Sequence, residues 1–429
     1  NVWRFPAEVQ ANGGAAFLII YALCVILLGI PVMVAEFSLG RSGRSDAAGA
    51  FINIGARKGW SIIGGWAILA SYLILCFYMV VAGWTIEYVW QSLTGALFEP
   101  TGTVETTIVS QFSEKMNLLT GGSISPLIFT FIVIFLNLII LVLGVQKGIE
   151  RLSTIMMPLL FLILVVFLGV ALTLPEAGEG LRFFLEPDFS KITPGVCINA
   201  LGQAFFSLSL GMGILITYSS YFPSKTRLTK TAITVSALDM VIAIMMGLII
   251  FPAVTSFGLT DQSTRGATLV FVTLPEVFSF MPYPRLWATL FFLLLTLAAI
   301  TSTISIAEVS VAFICDRFKI SRTKSCLIVL LPLLLFSTLC ALSFGPLSHI
   351  TFFGLNIFDF LDTVATNVML PVGSIALCIY LGWFAPKNLL HDQITNRGSL
   401  KNALYRPILI MIKYAAPPLI LIVLISSFL

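Results

Sequence analysis

The chain has 429 residues, 58% of them hydrophobic and 10% charged, with a mean hydropathy of +1.02. These values exclude a soluble domain and leave a polytopic membrane protein, long enough for about ten helices of ~20–25 residues with short loops. A formal net charge of +4 reflects loop topology and gives no reason to expect nucleic-acid binding.

In chain order, the hydropathy pattern predicts a half-helix over roughly 1–11. Full spans follow near 14–38, 62–92, 124–145 and 149–174. A broken span lies at 194–221, and further spans lie near 229–257, 286–315, 323–344, 352–384 and 405–429. Long amphiphilic loops fall at 93–123, 175–193 and 258–285; Phe278–Pro284 in the last is a candidate re-entrant segment or short helical lid. Seventeen of the 24 Lys and Arg residues fall in the loops at 39–61, 146–151, 222–230, 316–324 and 385–406. The opposite loops hold five: Lys115, Arg182, Lys191, Arg265 and Arg285. The positive-inside rule makes the first set cytoplasmic. Seven cysteines lie in or beside apolar spans without a pairing or CxxC pattern, and read as small core residues. His349 and His391 both sit near loops, which argues against a zinc site or a Ser-His pair.

The broken span holds the most telling segment, Gln203–Gly213, with Ser207, Ser209 and glycines at 202, 211 and 213 near mid-membrane depth. Irregular backbone survives at that depth only inside protein or along a cavity. Two broken helices, one at the chain start and one here, point to an inverted repeat with a solute site between its halves, as in secondary transporters. The reading is one transmembrane domain over 1–429, with repeats at 1–174 and 194–384 and an added helix at 405–429.

Seven acids fall within or at the ends of spans: Glu8, Glu36, Glu87, Asp239, Glu308, Asp359 and Asp362. Each costs roughly 2.5–3.5 kcal/mol on insertion scales and needs a partner, a proton or a cation. Arg4 pairs with Asp362, either as an outer gate over substrate or as a static salt bridge. Asp239, read as one turn into its span, completes a cation site or carries a proton; the alternative is an acid stabilised by a helix N-terminus. Glu36, after Gly29-Ile30-Pro31, is expected to accept bonds from unwound backbone N–H groups. Glu308 admits the same reading or packing beside polar helix groups. Thr301, Ser302 and Thr303 offer adjacent hydroxyls that can replace the water shell of sodium, although such side chains often bond their own helix carbonyls. Tyr78, Phe206 and Met212 become credible pocket walls beside a broken helix.

Asn1-Val-Trp-Arg-Phe-Pro6, Asn12–Phe17, Gly29-Ile-Pro31, Glu36, Gly40-Arg41, the segment 203–213, Thr301-Ser302 and the Asp359/Asp362 pair resemble, in order, the neurotransmitter:sodium symporter family. The resemblance covers nearly the whole chain. The eleven-span length, Met212 and Asp239 look most like the bacterial branch, in particular its multi-hydrophobic amino-acid transporter type. This implies an all-α integral membrane fold of five-plus-five inverted-repeat type, with broken helices 1 and 6 and the first half of helix 1 missing. It implies two sodium ions. Asn1 and Ser207 hold the first, with Asp239 close by; the Ala298 carbonyl and the Thr301 and Ser302 hydroxyls hold the second. Asp239 stands where chloride-dependent relatives have an Asn followed by a chloride-binding Ser, so chloride independence is expected, with a proton able to replace sodium on the return step.

For substrate, the resemblance assigns Tyr78 to the carboxylate, the Phe206 and Ser209 carbonyls to the ammonium, and Ile74, Met212, Thr303 and Ile306 to the side-chain pocket. Phe206 also forms a lid. Arg4, Asp362, Gln203 and Asp316 are gate residues, the Arg partner of Asp316 preceding Asn1. Gly148 and Pro158 bracket a stretch expected to unwind and admit water, the alternative being a Pro-kinked helix. The implied activity is sodium-coupled import of hydrophobic L-amino acids such as Trp, Leu, Phe or Tyr across a bacterial inner membrane. The alternatives are a sodium-independent amino-acid exchanger of the same architecture and a channel. An intramembrane enzyme lacks a base beside any membrane-depth nucleophile.

Overall fold

A computed structural model describes residues 4–99, 108–121, 124–259, 268–400 and 403–426. Asn1, the expected first-sodium ligand, lies outside the described residues. Helix α1 covers Arg4–Ala11. Helix α2 runs Ala15–Gly43, with a π turn over Val25–Gly29 just before Pro31. Proline has no N–H to give to the preceding turn, which accounts for the widened ladder there. A short α3, Ala47–Asn53, starts at Asp46, whose carboxylate accepts the Ala48 and Gly49 N–H groups.

Helix α4 is Ser61–Thr94, α5 Ile108–Thr120, α6 Ser125–Val142, α7 Gly148–Ala171 and α8 Ala177–Leu185. The broken span consists of α9, Pro194–Ser207, and α10, Ile214–Ser220. Then come α11, Leu228–Ser256, the short α12, Leu269–Phe280, α13, Pro284–Phe318, and α14, Arg322–Leu342. A hairpin of β1, Thr351–Phe352, and β2, Leu355–Asn356, precedes α15, Ile357–Phe384; α16, Leu389–Ile394, and α17, Tyr405–Ser426, complete the chain.

Among the described residues, nine helices are long and apolar enough to cross a membrane. Helix α1 and the two halves α9 and α10 are too short to cross singly. The expected span at 352–384 begins five residues late, because Phe353 and Gly354 turn a hairpin with positive φ (53° and 82°). Asn356 then caps the helix by accepting the Asp359 N–H at 2.8 Å, so Asp359 belongs to a helix start. In the loop at 258–285, residues 269–280 form helix α12; the candidate lid, Phe278–Pro284, takes in the end of that helix, a bend at 281–283 and the first residue of α13.

The core is one continuous cluster. At its centre α13 packs along α4, and α10 packs against α2. Both central helices exceed 30 residues (35 and 34), about 50 Å at 1.5 Å per residue and longer than the hydrocarbon layer. Polar side chains in the middle of α4 and α13 therefore lie far from water at either end unless a cavity reaches them.

Candidate functional site

The helix break is compact and unusual in backbone. Ser209, Gly211 and Gly213 have φ of 55°, 78° and 73°, a left-handed alternation that favours glycine. At Gly211 a Cβ would lie 2.5 Å from the Leu370 carbonyl oxygen and 2.7 Å from Ser374 Oγ, so α15 closes on the bare backbone. Gly202 lies inside α9 rather than in the break, contrary to its grouping with the other two. The exposed peptide groups find partners on two other helices. Glu36 of α2, fully buried, accepts the Gly211 N–H at 2.7 Å. Ser71 of α4 donates to the Met212 carbonyl.

Beside the break lies a cavity of about 820 Å³. Its walls include Ile74, Tyr78, Phe206, Ser207, Ser209, Met212, Asp239, Thr301, Ser302 and Ile306. From there it runs past Val145, Ile149, Glu150 and Met157 of the α6–α7 region to Pro223, Thr231 and Val235, on the Lys/Arg-rich face. On one flank Tyr21 of α2 donates to Ser207 Oγ at 3.0 Å and lies 3.1 Å from Asp239 Oδ2. Ser207 also donates to Asp239. Three helices thus meet through one carboxylate and two hydroxyls. Asp239 sits 11 residues after the start of α11 at Leu228. It is three turns in rather than one, too deep for the helix N-terminus to stabilise it.

On the other flank the α13 hydroxyls turn inward on their own helix. Thr301 and Ser302 each donate to the Ala298 carbonyl at 2.9 Å, and Tyr78 is hydrogen-bonded to Ser302. These oxygens, with Asp239 and Ser207, form two clusters of hard donors suited to a small cation of low charge. Ala298 itself is half-buried and does not line the cavity. Thr303 departs from expectation: it is fully buried, does not line the cavity, and accepts the Asn137 side-chain N–H at 3.0 Å. A one-residue step turns a helical side chain by about 100°, enough to carry Thr303 away from Ser302. The Phe206 carbonyl, expected to hold the ammonium, accepts the Ser209 N–H at 3.1 Å at the end of α9.

Phe206 separates this cavity from a smaller one of about 240 Å³, lined by Arg4, Glu8, Asn199, Gln203, Thr366 and Asn367 among others. The Arg4 guanidinium stacks 4.1 Å from the centre of the Phe206 ring. Arg4 does not form the expected ion pair with Asp362. Its carboxylate neighbour is Glu8, one turn along α1 at 4.0 Å, and Asp362 acts on it only through space. Gln203 is buried beside them.

Towards the Lys/Arg-rich face, Glu308 is fully buried and accepts Arg322 at 3.0 Å and the Tyr221 hydroxyl at 3.0 Å. Tyr218 donates to Ser305 at 2.8 Å. Asp316 accepts the Ser45 hydroxyl and the Asp46 N–H, at 3.0 and 2.9 Å. Burial raises the Asp46 carboxyl from its ordinary range, the Ala48 and Gly49 N–H groups pull it down, and nearby Asp316 adds to the rise. Gly148 sits in a π turn, Val145–Glu150, and the helix is unbroken from Arg151 through Pro158. The stretch expected to unwind is helical here. A Cβ at Gly148 would lie 2.2 Å from the Ile140 carbonyl, so this glycine also permits close helix approach.

Tyr21, Ser71, Asn137, Tyr221 and Arg322 escaped the sequence reading. Tyr21 and Asn137 each left one signal, a lone phenol in the apolar run 15–28 and a lone amide in the apolar run 131–143; the others carry none that composition alone isolates.

Comparison with known proteins fits this geometry. A profile described as the sodium:neurotransmitter symporter family matches residues 1–120 and 109–429. The chain belongs to that family. It is 33% identical over 430 residues to a sodium-dependent transporter of Bacillus subtilis, YhdH, covering 99% of this chain and 92% of that one. A sodium-dependent transporter of Haemophilus influenzae is 35% identical, covering 99% and 93%. The bovine sodium-dependent dopamine transporter is 26% identical, covering all of this chain and 66% of its own length. The crystal structure of MhsT in complex with L-phenylalanine superposes with a TM-score of 0.89 at 37% identity, covering 100% of this chain and 95% of that one. The protein is therefore a multi-pass, sodium-dependent transporter with an all-α membrane fold, and its family is one of carriers rather than enzymes.

Proposed function

We propose that the protein imports hydrophobic L-amino acids by sodium-coupled symport with alternating access, without chloride, across a bacterial inner membrane whose cytoplasmic side is the Lys/Arg-rich face. The observation that carries this reading is the composition of one cavity. Ile74, Met212 and Ile306 give it an apolar wall, Tyr78 and the helix break give it polar groups, and oxygen clusters flank it on both sides. Such a site is concave, mostly apolar and furnished with a few placed polar groups. Flexible, polarizable Met212 suits several bulky side chains. Among the described lining residues the only charged groups are the carboxylates of Asp239 and Glu150, and the apolar wall of Ile74, Met212 and Ile306 offers no counter-charge of its own to a basic or acidic side chain. The MhsT structure holding L-phenylalanine supports the same substrate class.

In this reading two sodium ions bind. Asp239, Ser207 and Asn1 hold one; the Ala298 carbonyl, Thr301 and Ser302 hold the other. The fixed carboxylate of Asp239 supplies the negative charge that would otherwise call for chloride. Arg4, Gln203 and Asp362 close the outer side and Asp316 the inner side, while Gly148 and Pro158 bracket a hinge in α7. Residues 1–174 and 194–384 act as the two repeats, with 405–429 outside them.

A second reading, a sodium-independent exchanger, draws on one observation: Thr301 and Ser302 already satisfy their donors within α13. The test is uptake of radiolabelled leucine, phenylalanine and tryptophan into proteoliposomes of the full-length protein, with an inward sodium gradient and gluconate replacing chloride. Accumulation driven by the gradient supports the symporter. Exchange indifferent to sodium supports the second reading.

A further inference from the structure

Asn137 lies outside the cavity, fully buried in α6 between apolar helices. Its amide donates to the Val133 carbonyl at 2.9 Å and to Thr303 Oγ1 at 3.0 Å, while Oδ1 has no partner among the described residues. A buried amide with an unpaired oxygen costs free energy that a leucine would not. Folding stability alone therefore gives no reason for an asparagine here.

The Thr303 hydroxyl donates to the Ile300 carbonyl at 2.9 Å, which leaves its oxygen free to accept from Asn137. A second buried polar contact holds the same face of α13: Thr296 and Thr85 of α4 are 3.1 Å apart. Thr296 and Thr303 are seven residues apart, two turns of helix within about 20° of one face. Thr301 and Ser305 are each two residues from Thr303, about 200° round the helix, and both line the cavity. Ser302, which also lines the cavity, is one residue from Thr303, about 100° round the helix. The polar anchors thus grip α13 opposite Thr301 and Ser305 and to one side of Ser302.

We propose that Asn137, acting through Thr303, is a positioning residue that fixes the rotation of α13 and so aims the Thr301 and Ser302 hydroxyls at a bound sodium ion. The inference rests on the sodium-site reading of those two hydroxyls. Leverage makes the anchor matter. A helix rotation of about 20° moves a side-chain oxygen on the order of 1–2 Å, and hard-cation coordination tolerates only tenths of an ångström.

The test uses the full-length protein in proteoliposomes, with radiolabelled leucine and phenylalanine as probes. The variants are Asn137→Leu, Thr303→Val, Thr303→Ser and the Asn137→Leu/Thr303→Val pair. Asn137→Leu and Thr303→Val should each raise half-saturating sodium roughly three- to tenfold. KM for the amino acid at saturating sodium should stay within about twofold. The melting temperature of the purified protein should not fall for Asn137→Leu or for the pair, whereas Thr303→Val, which strands an Asn137 N–H, should lower it modestly. The double variant should be no worse than either single one, because both remove the same bond. Thr303→Ser keeps the hydroxyl and should behave as wild type. If Asn137→Leu fails to fold, the near-isosteric Thr303→Val carries the test.

An unchanged sodium curve in well-folded variants overturns the proposal. So does a rise in KM together with a lowered melting temperature, the mark of general packing loss. Sodium-driven uptake that Thr301→Val weakens but Asn137→Leu leaves alone sinks this inference only. Wild-type uptake indifferent to sodium removes the site reading and this inference with it.

Discussion

The two flanks of the cavity solve the same electrostatic problem in different ways. On one, Asp239, Ser207 and Tyr21 come from three helices and share a formal negative charge. On the other, Thr301 and Ser302 come from one helix, carry no charge, and bond to their own Ala298 carbonyl. A charged cluster spanning several helices binds a cation strongly and depends on how those helices sit together. A neutral cluster on a single helix binds more weakly and depends on that helix's rotation. The first flank is therefore the more sensitive to loss of charge, and the second to loss of aim.

The sharpest test of this contrast is Asp239→Asn. Removing the charge should raise half-saturating sodium by more than tenfold, measured as uptake against sodium concentration; a wild-type curve would make Asp239 a structural acid. Next is Glu36→Leu, which strands the Gly211 N–H inside the break shared by both flanks. Leaving such a donor unpaired costs about 1–3 kcal/mol, so transport rate and thermal stability should fall together. Tyr21→Phe removes a bond to Ser207 and Asp239 but no charge. It should weaken sodium dependence roughly threefold to tenfold, and an effect as large as that of Asp239→Asn would show that geometry outweighs charge. Thr301→Val, on the neutral flank, should weaken sodium dependence by a comparable or smaller factor, and an unaltered curve would relocate the second ion. The smallest effect belongs to Met212→Phe. It leaves both flanks intact and should move preference toward smaller side chains in a competition assay, whereas unchanged preference for tryptophan would remove Met212 from the pocket wall.

Much of this was legible in one dimension, for reasons that differ by residue. A carboxylate in an apolar span announces itself, because its burial is costly wherever it lands; Glu36 and Asp239 stood out on that ground. An irregular segment at 203–213 was visible through its serines and glycines, which are out of place in a continuous lipid-facing helix; only the structure narrows the break to 208–213, with Gly202 and Ser207 in the helix before it. Thr303 misled because adjacency in sequence does not mean a shared helix face, and only the packing of α6 against α13 shows it turned to Asn137. Arg4 misled because two acids lay within its reach, and the nearer one in space was on its own helix. Tyr21, Ser71 and Asn137 gave little or no signal, since a single hydroxyl or amide in an apolar helix usually bonds its own backbone.

By itself, then, the sequence determined that this is a many-span membrane carrier, which side its basic loops share, and where its backbone must break. Those are matters of composition, charge and local hydrogen bonding, which act residue by residue. Tertiary structure alone decided which oxygens face one another across the cavity, that Glu36 and Ser71 hold the broken backbone from two different helices, and that Thr303 faces Asn137 instead of solute. Such pairings depend on the rotation and close approach of helices far apart in the chain, and no local rule encodes them.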